Sequence, residues 1–192
     1  MPYPVAHGLL GATVIAASPA DDSFRQNWKY LLIGAILAIF PDFDLLLAWG
    51  LRLGDDWHRS FSHSILFSIA TGFLTAILAG QSRAKVAIIY IFAALTHPLL
   101  DLLPASDLGV ELFWPFSTHR YQFGLFEYPT FPLNPHPKYF HWADTLAGLF
   151  RVSLRELALF APLLLCVLLI KRRSVRRRSE KTLQDRLQEH EI

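Results

Sequence analysis

YLLIGAILAIFPDFDLLLAWGLRL, residues 30–53, is the part of this chain that says most about its fold class. It is long enough to form a membrane-crossing helix, which needs about 20 apolar residues, but Pro41, Asp42 and Asp44 interrupt it. Proline breaks the interior of a helix, and a charged side chain at bilayer depth costs at least about 2.5 kcal/mol. We therefore predict a membrane helix that is broken or kinked near Pro41, with the acidic pair facing protein rather than lipid.

Four further apolar stretches are predicted to be helical spans: Val5–Ser18, Phe61–Ala79, Ala84–Leu103 and Leu154–Ile170. The chain is 53% hydrophobic, close to the roughly 45–50% of soluble domains, so the distribution of charge decides the class. Charged residues crowd into the gaps between these stretches. The predicted fold is all-α, a polytopic membrane bundle of about five helices over residues 1–170, followed by a basic cytosolic tail, 171–192.

The first stretch could also be a cleaved leader, but it lacks a basic segment before its apolar core and contains His7, so we favour a helix. With five crossings, the pairs Arg25/Lys29 and Arg83/Lys85 and the basic cluster 171–178 all fall on one side of the membrane. Basic residues mark the cytoplasmic side, so we predict an outside N-terminus and a cytoplasmic C-terminus.

This topology places seven candidate metal ligands in one layer near the extracytoplasmic face. They lie at the outer ends of four predicted helices: His7, Asp42, Asp44, His58, His63, His97 and Asp101. Histidine and aspartate side chains together suit a divalent metal, and ionisable groups in membrane helices are seldom accidental. The sequence therefore predicts a metal site embedded in the membrane.

Each part of this set has an alternative explanation. His97 and Asp101 share a helix face, so both could bind one ion, Asp101 could orient His97, or the pair could be a structural hydrogen bond. The Pro-Asp-Phe-Asp segment could be a capping loop with its acids in water. His58 and His63 could chelate if the chain turns between them, or could simply meet lipid headgroups.

Four motifs in this order carry a resemblance to a known family: His7-Gly8, Pro41-Asp42-Phe43-Asp44, residues 58–64 (HRSFSHS) and residues 97–101 (HPLLD). With the segment 109–116 (GVELFWPF), they resemble the bacterial inner-membrane metal-dependent hydrolases of the YdjM type, the LexA-regulated membrane hydrolases. The resemblance covers roughly residues 1–150. It implies a divalent-metal site, a distant likeness to zinc-dependent phospholipase C, and hydrolase chemistry by analogy.

The donor types favour Zn²⁺, with Mn²⁺ or Fe²⁺ as alternatives, and bridging aspartates could hold two ions around an activated water. Arg59 could stabilise charge on a phosphoryl oxygen, and Arg59, Asp44 and Glu111 are the candidate catalytic residues. A site at this depth suits a phosphoester or lipid-linked phosphate, with membrane lipids as partners. The alternative function is an ion- or proton-coupled transporter that uses the same Asp/His cluster, and a scaffold with structural polar contacts is a third reading.

The segment 104–153 is predicted to be an extracytoplasmic loop whose aromatic residues cover the site. These are Phe113, Trp114, Phe116, Tyr121, Phe123, Phe126, Tyr128, Phe131, Tyr139 and Phe140. His119, His136, His141 and Asp144 lie on the same side, where most are expected to be solvated.

Other function classes are disfavoured. The single cysteine, Cys166, rules out an internal disulfide and a thiolate cluster. The chain has neither the His-Glu-x-x-His of zinc proteases nor the Gly-x-Ser-x-Gly of serine hydrolases. The basic cluster 171–178 is better explained as an orientation signal and lipid anchor than as a nucleic-acid site.

Overall fold

The fold is that of a computed structural model, which describes residues 3–19, 27–53, 57–80, 83–105, 108–127 and 142–190. Six α-helices make up most of these residues: α1 Pro4–Ala17, α2 Trp28–Ile39, α3 Asp44–Leu51, α4 Ile65–Leu78, α5 Ala84–Asp101 and α6 Trp142–His190. The described part of the chain is therefore the helical bundle that the sequence predicts.

Three helical segments are long and apolar enough to cross a membrane: Trp28–Ala48, Ala84–Asp101 and Thr145–Thr182. The apolar helices α1 and α4 have 14 residues each, which at 1.5 Å per residue gives about 21 Å against a hydrocarbon core of about 30 Å. Of the five predicted spans, two are therefore shorter than a full crossing. The helix α4 also begins at Ile65 rather than Phe61, because Ser64 caps it by accepting a hydrogen bond from the Phe67 N–H at 3.0 Å.

The interruption near Pro41 is confirmed. The helix α2 ends at Ile39, a 3-10 turn covers Phe40–Phe43, and α3 begins at Asp44. Pro41 is buried at the second position of this turn, where the missing N–H costs little. The tighter winding re-aims Asp42 and Asp44, which are two residues apart and would point away from each other on a regular α-helix.

The helices α1 and α2 approach each other through glycine. A Cβ atom on Gly11 would lie 2.2 Å from the Gly34 carbonyl oxygen and 2.6 Å from the Ala38 Cβ. Small residues of this kind allow close helix packing in membranes, where apolar burial alone gives helices little reason to associate. Gly8, Ala12 and Ala16, which lie four residues apart on α1, are also buried, but the closest approach is at Gly11.

The central helix is α5, which contacts α1, α2 and α4. Its buried face includes Tyr90, Ala93 and Ala94, and the same face leads to His97 and Asp101 at its C-terminal end. On α4, a Cβ atom at Gly72 would lie 2.5 Å from the Ile91 backbone nitrogen, so this pair of helices is also tightly packed.

The chain after α5 folds back over one end of the bundle. Strands β1 Pro104–Ala105 and β2 Phe126–Glu127 pair in parallel, and Val110 forms an antiparallel bridge with Tyr121. The Ile65 N–H donates to the Leu112 carbonyl at 3.0 Å, which ties this segment to the start of α4. The loop is thereby fixed against the residues that precede α4.

The last helix differs from its predicted extent. Instead of Leu154–Ile170 followed by a separate tail, α6 runs without a break from Trp142 to His190, which is about 73 Å at 1.5 Å per residue. Its packing partner in the bundle is α1. The side chains of residues 142–144 lie outside the described set, as do residues 128–141 entirely. The predictions for Tyr128, Phe131, His136, Tyr139, Phe140, His141 and Asp144 therefore fall outside the described residues.

Candidate metal centre

Two imidazoles form the middle of a buried polar cluster. His63 comes from the 3-10 turn Phe61–His63 and His97 from α5, and neither side chain is exposed. Their Nε2 atoms lie 2.9 Å apart. Two nitrogen lone pairs cannot face each other at this distance, so either a hydrogen or a metal ion lies between or beside these atoms.

The tautomer of His97 follows from its other nitrogen. Its Nδ1 lies 2.6 Å from the Ala38 carbonyl oxygen at the end of α2. A carbonyl oxygen can only accept, so Nδ1 donates and carries the hydrogen. The Nε2 atom of His97 is then left with a lone pair directed at the centre of the cluster. The backbone of Ala38, rather than Asp101, is the group that orients this ring.

The same reasoning applies to His63. The Ser62 hydroxyl donates to Asp44 Oδ2 at 2.5 Å and lies 2.9 Å from His63 Nδ1. The hydroxyl hydrogen is already used, so the Ser62 oxygen accepts from His63 Nδ1. The Nε2 atom of His63 therefore also offers a lone pair toward His97.

A third imidazole has the same orientation. His58 Nδ1 lies 2.8 Å from Asp44 Oδ1, and a carboxylate in this position accepts the hydrogen. His58 Nε2 is buried and has no hydrogen-bond partner among the described residues. Histidines that bind metals commonly donate their second ring nitrogen to a carboxylate or carbonyl in this way.

Two carboxylates stand beside these nitrogens. Asp101 Oδ2 lies 3.4 Å from His63 Nε2 and 3.8 Å from His97 Nε2. Asp42 Oδ1 lies 3.4 Å from His97 Nε2 and 3.8 Å from His63 Nε2. Asp42 Oδ1 and both Asp101 oxygens are buried without a hydrogen-bond partner in the described part of the chain. Buried polar atoms are almost always satisfied, and these oxygens are free to bind a cation.

The first helix contributes His7 to the same cluster. Its ring stacks on that of His97 with centroids 3.9 Å apart, and its Nε2 lies 3.4 Å from Asp101 Oδ1. Within the described residues, neither of its ring nitrogens has a hydrogen-bond partner. His7 thus faces the carboxylate oxygen of Asp101 that points away from His63.

These donors form three overlapping groups that could each hold an ion: His7 with Asp42 and His97, Asp42 with His58 and His63, and His63 with His97 and Asp101. Within each group the donor atoms lie within 4.8 Å of one another. Six of the seven predicted ligands are therefore brought together at one end of the bundle, and the donor chemistry fits a divalent cation.

Asp44, the seventh predicted ligand, lies outside these groups. Its carboxylate accepts hydrogen bonds from His58, from Ser62 and, at 3.4 Å, from the Arg59 N–H. The structure thus places Asp44 behind two of the imidazoles, where it fixes their tautomers. Only 3% of Asp44 is exposed, so this role is performed away from water.

The charge of the carboxylates acts on His63, which precedes α4. Burial by itself would lower the pKa of this imidazole, but the hydrogen bonds and charges of Asp101 and Asp42 raise it to about 9. The two carboxylates therefore favour a positive charge at His63 Nε2, which is the position that a bound cation would occupy.

Arg59 is the largest side chain among those buried almost completely. Its backbone has a left-handed φ of 63°, which few residues other than glycine adopt, and its Nε lies 3.6 Å from Asp101 Oδ2. The unusual backbone turns this cation inward, toward the carboxylates, instead of toward solvent.

Glu111 is held in a network of its own. Its carboxylate lies 2.9 Å from the Arg120 guanidinium and accepts from the Ser60 hydroxyl at 2.7 Å. Its N–H donates to the Arg59 carbonyl at 3.0 Å, and Arg120 also donates to the His58 carbonyl at 3.4 Å. This network fixes the loop that carries His58 and His63. Within the described part of the chain, the Glu111 carboxylate contacts Ser60 and Arg120 and not the His/Asp cluster.

Sequence reasoning did not single out Ala38, Arg120 or Glu156. Ala38 acts through its backbone carbonyl, which has no sequence signature. Arg120 lies in a loop without regular spacing. Glu156 was within the fifth predicted span, and an acidic residue among apolar ones there was a signal that could have been used. Of the other candidates, His119 contacts Tyr121 with ring centroids 4.6 Å apart, away from the cluster.

The fold and the cluster define a membrane-protein helical bundle with a buried group of histidines and aspartates that could bind metal. The family model of the YdjM inner membrane protein matches residues 1–177. The chain therefore belongs to the YdjM inner membrane protein family. No curated protein and no solved structure matches it.

Replacing Asp44 with asparagine is expected to weaken metal binding about 10- to 100-fold, the usual effect of removing a carboxylate that orients a ligating histidine. The amide would present N–H donors either to His58 Nδ1 or to the Ser62 hydroxyl, so one imidazole loses its inward lone pair. The measurement is a Zn²⁺ titration of the purified variant against a fluorescent chelator. Asp185→Asn, on the exposed end of α6, is the control, and an Asp44→Asn affinity equal to that of the control would contradict the assignment.

Proposed function

We propose that this protein is a membrane-bound, metal-dependent hydrolase that acts on a phosphoester or lipid-linked phosphate at the extracytoplasmic face. The observation that carries the proposal is the convergence of three imidazoles on two carboxylates. Among the described residues, Asp42 Oδ1 and both Asp101 oxygens lack hydrogen-bond donors. Such a set of donors, buried and matched in charge to a cation, is costly unless it has a function.

Six residues would hold the ion or ions: His7, Asp42, His58, His63, His97 and Asp101. A divalent ion bound there would supply Lewis-acid activation of a water molecule for hydrolysis. Nitrogen and oxygen donors without a thiolate suit Zn²⁺ first, then Mn²⁺ or Fe²⁺. Asp42 belongs to two of the three groups, so its carboxylate is the best placed to be shared between two ions.

A phosphate-containing substrate is supported by Arg59. Its guanidinium is buried beside Asp101, and a planar guanidinium matches the oxygens of a phosphoryl group. A fixed cation at this position would stabilise negative charge that develops during the displacement. The Asp42 side chain is 12% exposed and that of Asp101 is 1% exposed. A substrate would therefore approach the cluster from the side of Asp42.

A lipid substrate is supported by the surroundings of Asp42. Phe40 and Phe43 flank it and are about half exposed, and Trp57 is exposed beside His58. Aromatic side chains favour the headgroup layer of a bilayer. A headgroup phosphate could therefore reach the cluster while its chains remain in the membrane.

The extracytoplasmic side is favoured by charge. Lys29 lies in the first turn of α2 and Arg83 precedes α5, so both lie at the ends of these helices opposite to Asp42 and Asp101. If these basic residues face the cytoplasm, the metal-binding end faces outward. A transporter is expected to carry its polar groups near the midplane of the membrane. Among the described residues, the buried hydroxyls of Thr13 and Ser68 instead bond to the Leu9 and Ser64 carbonyls four residues earlier in the chain.

Purified protein supplied with Zn²⁺ or Mn²⁺ is expected to hydrolyse bis(p-nitrophenyl) phosphate or release phosphate from a lipid-linked phosphate, and a chelator should abolish the activity. Arg59→Lys is expected to lower kcat about 100-fold, because an ammonium group cannot reproduce the planar contact. The matched control is Arg52→Lys, since Arg52 also has a positive φ of 54° but is exposed.

Two results would overturn the proposal. Metal-loaded protein that is inactive on phosphodiesters, phosphomonoesters and lipid-linked phosphates would exclude the hydrolase. Ion flux through liposomes containing the protein, lost with His97→Ala, would establish the transporter instead.

A further inference from the structure

A buried carboxylate on the last helix contacts the first turn of α1. Glu156 is 0% exposed, and its two oxygens take two backbone donors: Oε1 lies 2.6 Å from the Tyr3 nitrogen and Oε2 lies 3.0 Å from the Ala6 nitrogen. The first N–H groups of an α-helix lack α-helical partners, and the helix N-terminus carries a partial positive charge. The Ala6 N–H is shared between Glu156 Oε2 and the Tyr3 carbonyl, which lies 3.1 Å away. Glu156 thus places a carboxylate against this helix terminus from a position 150 residues away in the chain.

Local sequence does not provide this cap. Tyr3 occupies the N-cap position, and its side chain makes no capping hydrogen bond. Serine, threonine, aspartate or asparagine normally fill that role. The orientation of the first turn of α1 thus depends on a side chain of α6, one of the helices that pack against α1.

The next residue after Ala6 is His7, the one ligand that α1 supplies. His7 has no hydrogen bond of its own in the described structure, and its contacts are the stack on His97 at 3.9 Å and the approach to Asp101 at 3.4 Å. The other imidazoles are each oriented by a hydrogen bond through Nδ1, as described above. The His7 ring has no such hydrogen bond among the described residues, so its position depends on the backbone of α1.

We propose that Glu156 is a positioning residue of the metal centre: by binding the N–H groups of Tyr3 and Ala6 it fixes the first turn of α1 and thereby places His7. This inference rests on the proposed metal site but not on the reaction or the substrate. This role would explain why α6 contains Glu156, since a buried ionisable side chain within a membrane helix is energetically costly.

The test compares Zn²⁺ affinity in Glu156→Gln, His7→Ala and the double variant, all in full-length protein. Glutamine keeps the size of the side chain but turns a donor toward one of the two N–H groups. We expect about a tenfold loss of Zn²⁺ affinity in Glu156→Gln, because removing a residue that orients a metal ligand typically costs about 10- to 100-fold and Glu156 acts only through the backbone. Glu180→Gln is the control, because Glu180 is on the same helix in an exposed pair with Arg176.

The double variant separates positioning from a general loss of stability. If Glu156 acts through His7, Glu156→Gln will cause no further loss of Zn²⁺ affinity once His7 is alanine. Equal losses with and without His7 would overturn the proposal, as would unchanged affinity in the single variant. If Glu156→Gln does not fold, Glu156→Asp, which keeps the charge but shortens the reach, is expected to give a smaller loss of the same kind.

A second readout does not need a metal. Buried His7 should resist modification by diethyl pyrocarbonate in the wild type, and should react faster in Glu156→Gln, as measured by mass spectrometry. If the wild type binds no Zn²⁺ but His7 still reacts faster in Glu156→Gln, the metal proposal is refuted and the role of Glu156 in placing His7 is retained. A protected His7 in both proteins would overturn the positioning role.

Discussion

Alanine at both His97 and Asp101 is expected to abolish metal binding while the protein still folds. Asp101 lies within 3.4 Å of His7 and His63 and 3.8 Å of His97, so its carboxylate is common to most of the cluster. His97 belongs to two of the three groups of donors. The double variant leaves only the group of Asp42, His58 and His63 complete, with one carboxylate in place of two. We therefore expect more than a 100-fold loss of affinity.

The measurement is metal per chain by elemental mass spectrometry on detergent-purified protein prepared without chelator. The wild type should contain about one equivalent or more of a transition metal, and the variant almost none. Thr96→Ala is the matched control, because Thr96 neighbours His97 on α5 and its hydroxyl donates to the Ala93 carbonyl of its own helix. Gel filtration and circular dichroism check folding. A wild type that remains free of metal after supply of Zn²⁺ or Mn²⁺ would contradict the assignment.

The second large effect is expected from Gly11→Ala. The added Cβ would lie 2.2 Å from the Gly34 carbonyl oxygen, and backbone cannot move aside as a flexible side chain could. Overpacking of this kind costs roughly 1–3 kcal/mol or more. Gly11 follows His7 by one helical turn, and Ala38, which orients His97, is the other contact of the new methyl group at 2.6 Å. Separation of α1 from α2 should therefore weaken metal binding as well as stability.

Thermal unfolding in detergent, followed by circular dichroism, measures the first effect, and Zn²⁺ titration measures the second. Gly50→Ala is the control, since a Cβ there meets nothing within 4 Å and should leave stability unchanged or raise it by up to about 1 kcal/mol. A Gly11→Ala protein with the unfolding temperature and Zn²⁺ affinity of Gly50→Ala would show that the close approach is not required.

The layer of ligands was predictable because it depends only on the alternation of spans. Every two crossings return the chain to the same end of the bundle. The positions of His7, Asp42, His63 and His97 at this end can therefore be predicted without side-chain geometry. The break at Pro41 was predictable for a similar reason, since the chemistry of proline is local.

The different roles of the predicted ligands could not be predicted from the sequence. Asp42 and Asp44 are equivalent in sequence, and only the 3-10 turn makes one face the cluster and the other face His58. The extent of α6 was also missed, because the charged residues after Ile170 end an apolar stretch without ending a helix. Partners such as Arg120 and Glu156 lie far from the site in the chain, and no local pattern connects them to it.

The six donors come from segments that are distant in sequence: α1, the turn after α2, the loop before α4, and the end of α5. An ion shared by them would act as a cross-link that the unfolded chain cannot form. Its binding energy would then be added to the free energy of folding, in proportion to the logarithm of the free metal concentration. The durability of this protein in its membrane would therefore follow the metal supply of the cell, and scarcity of the ion would shorten the lifetime of the protein as well as reduce its activity.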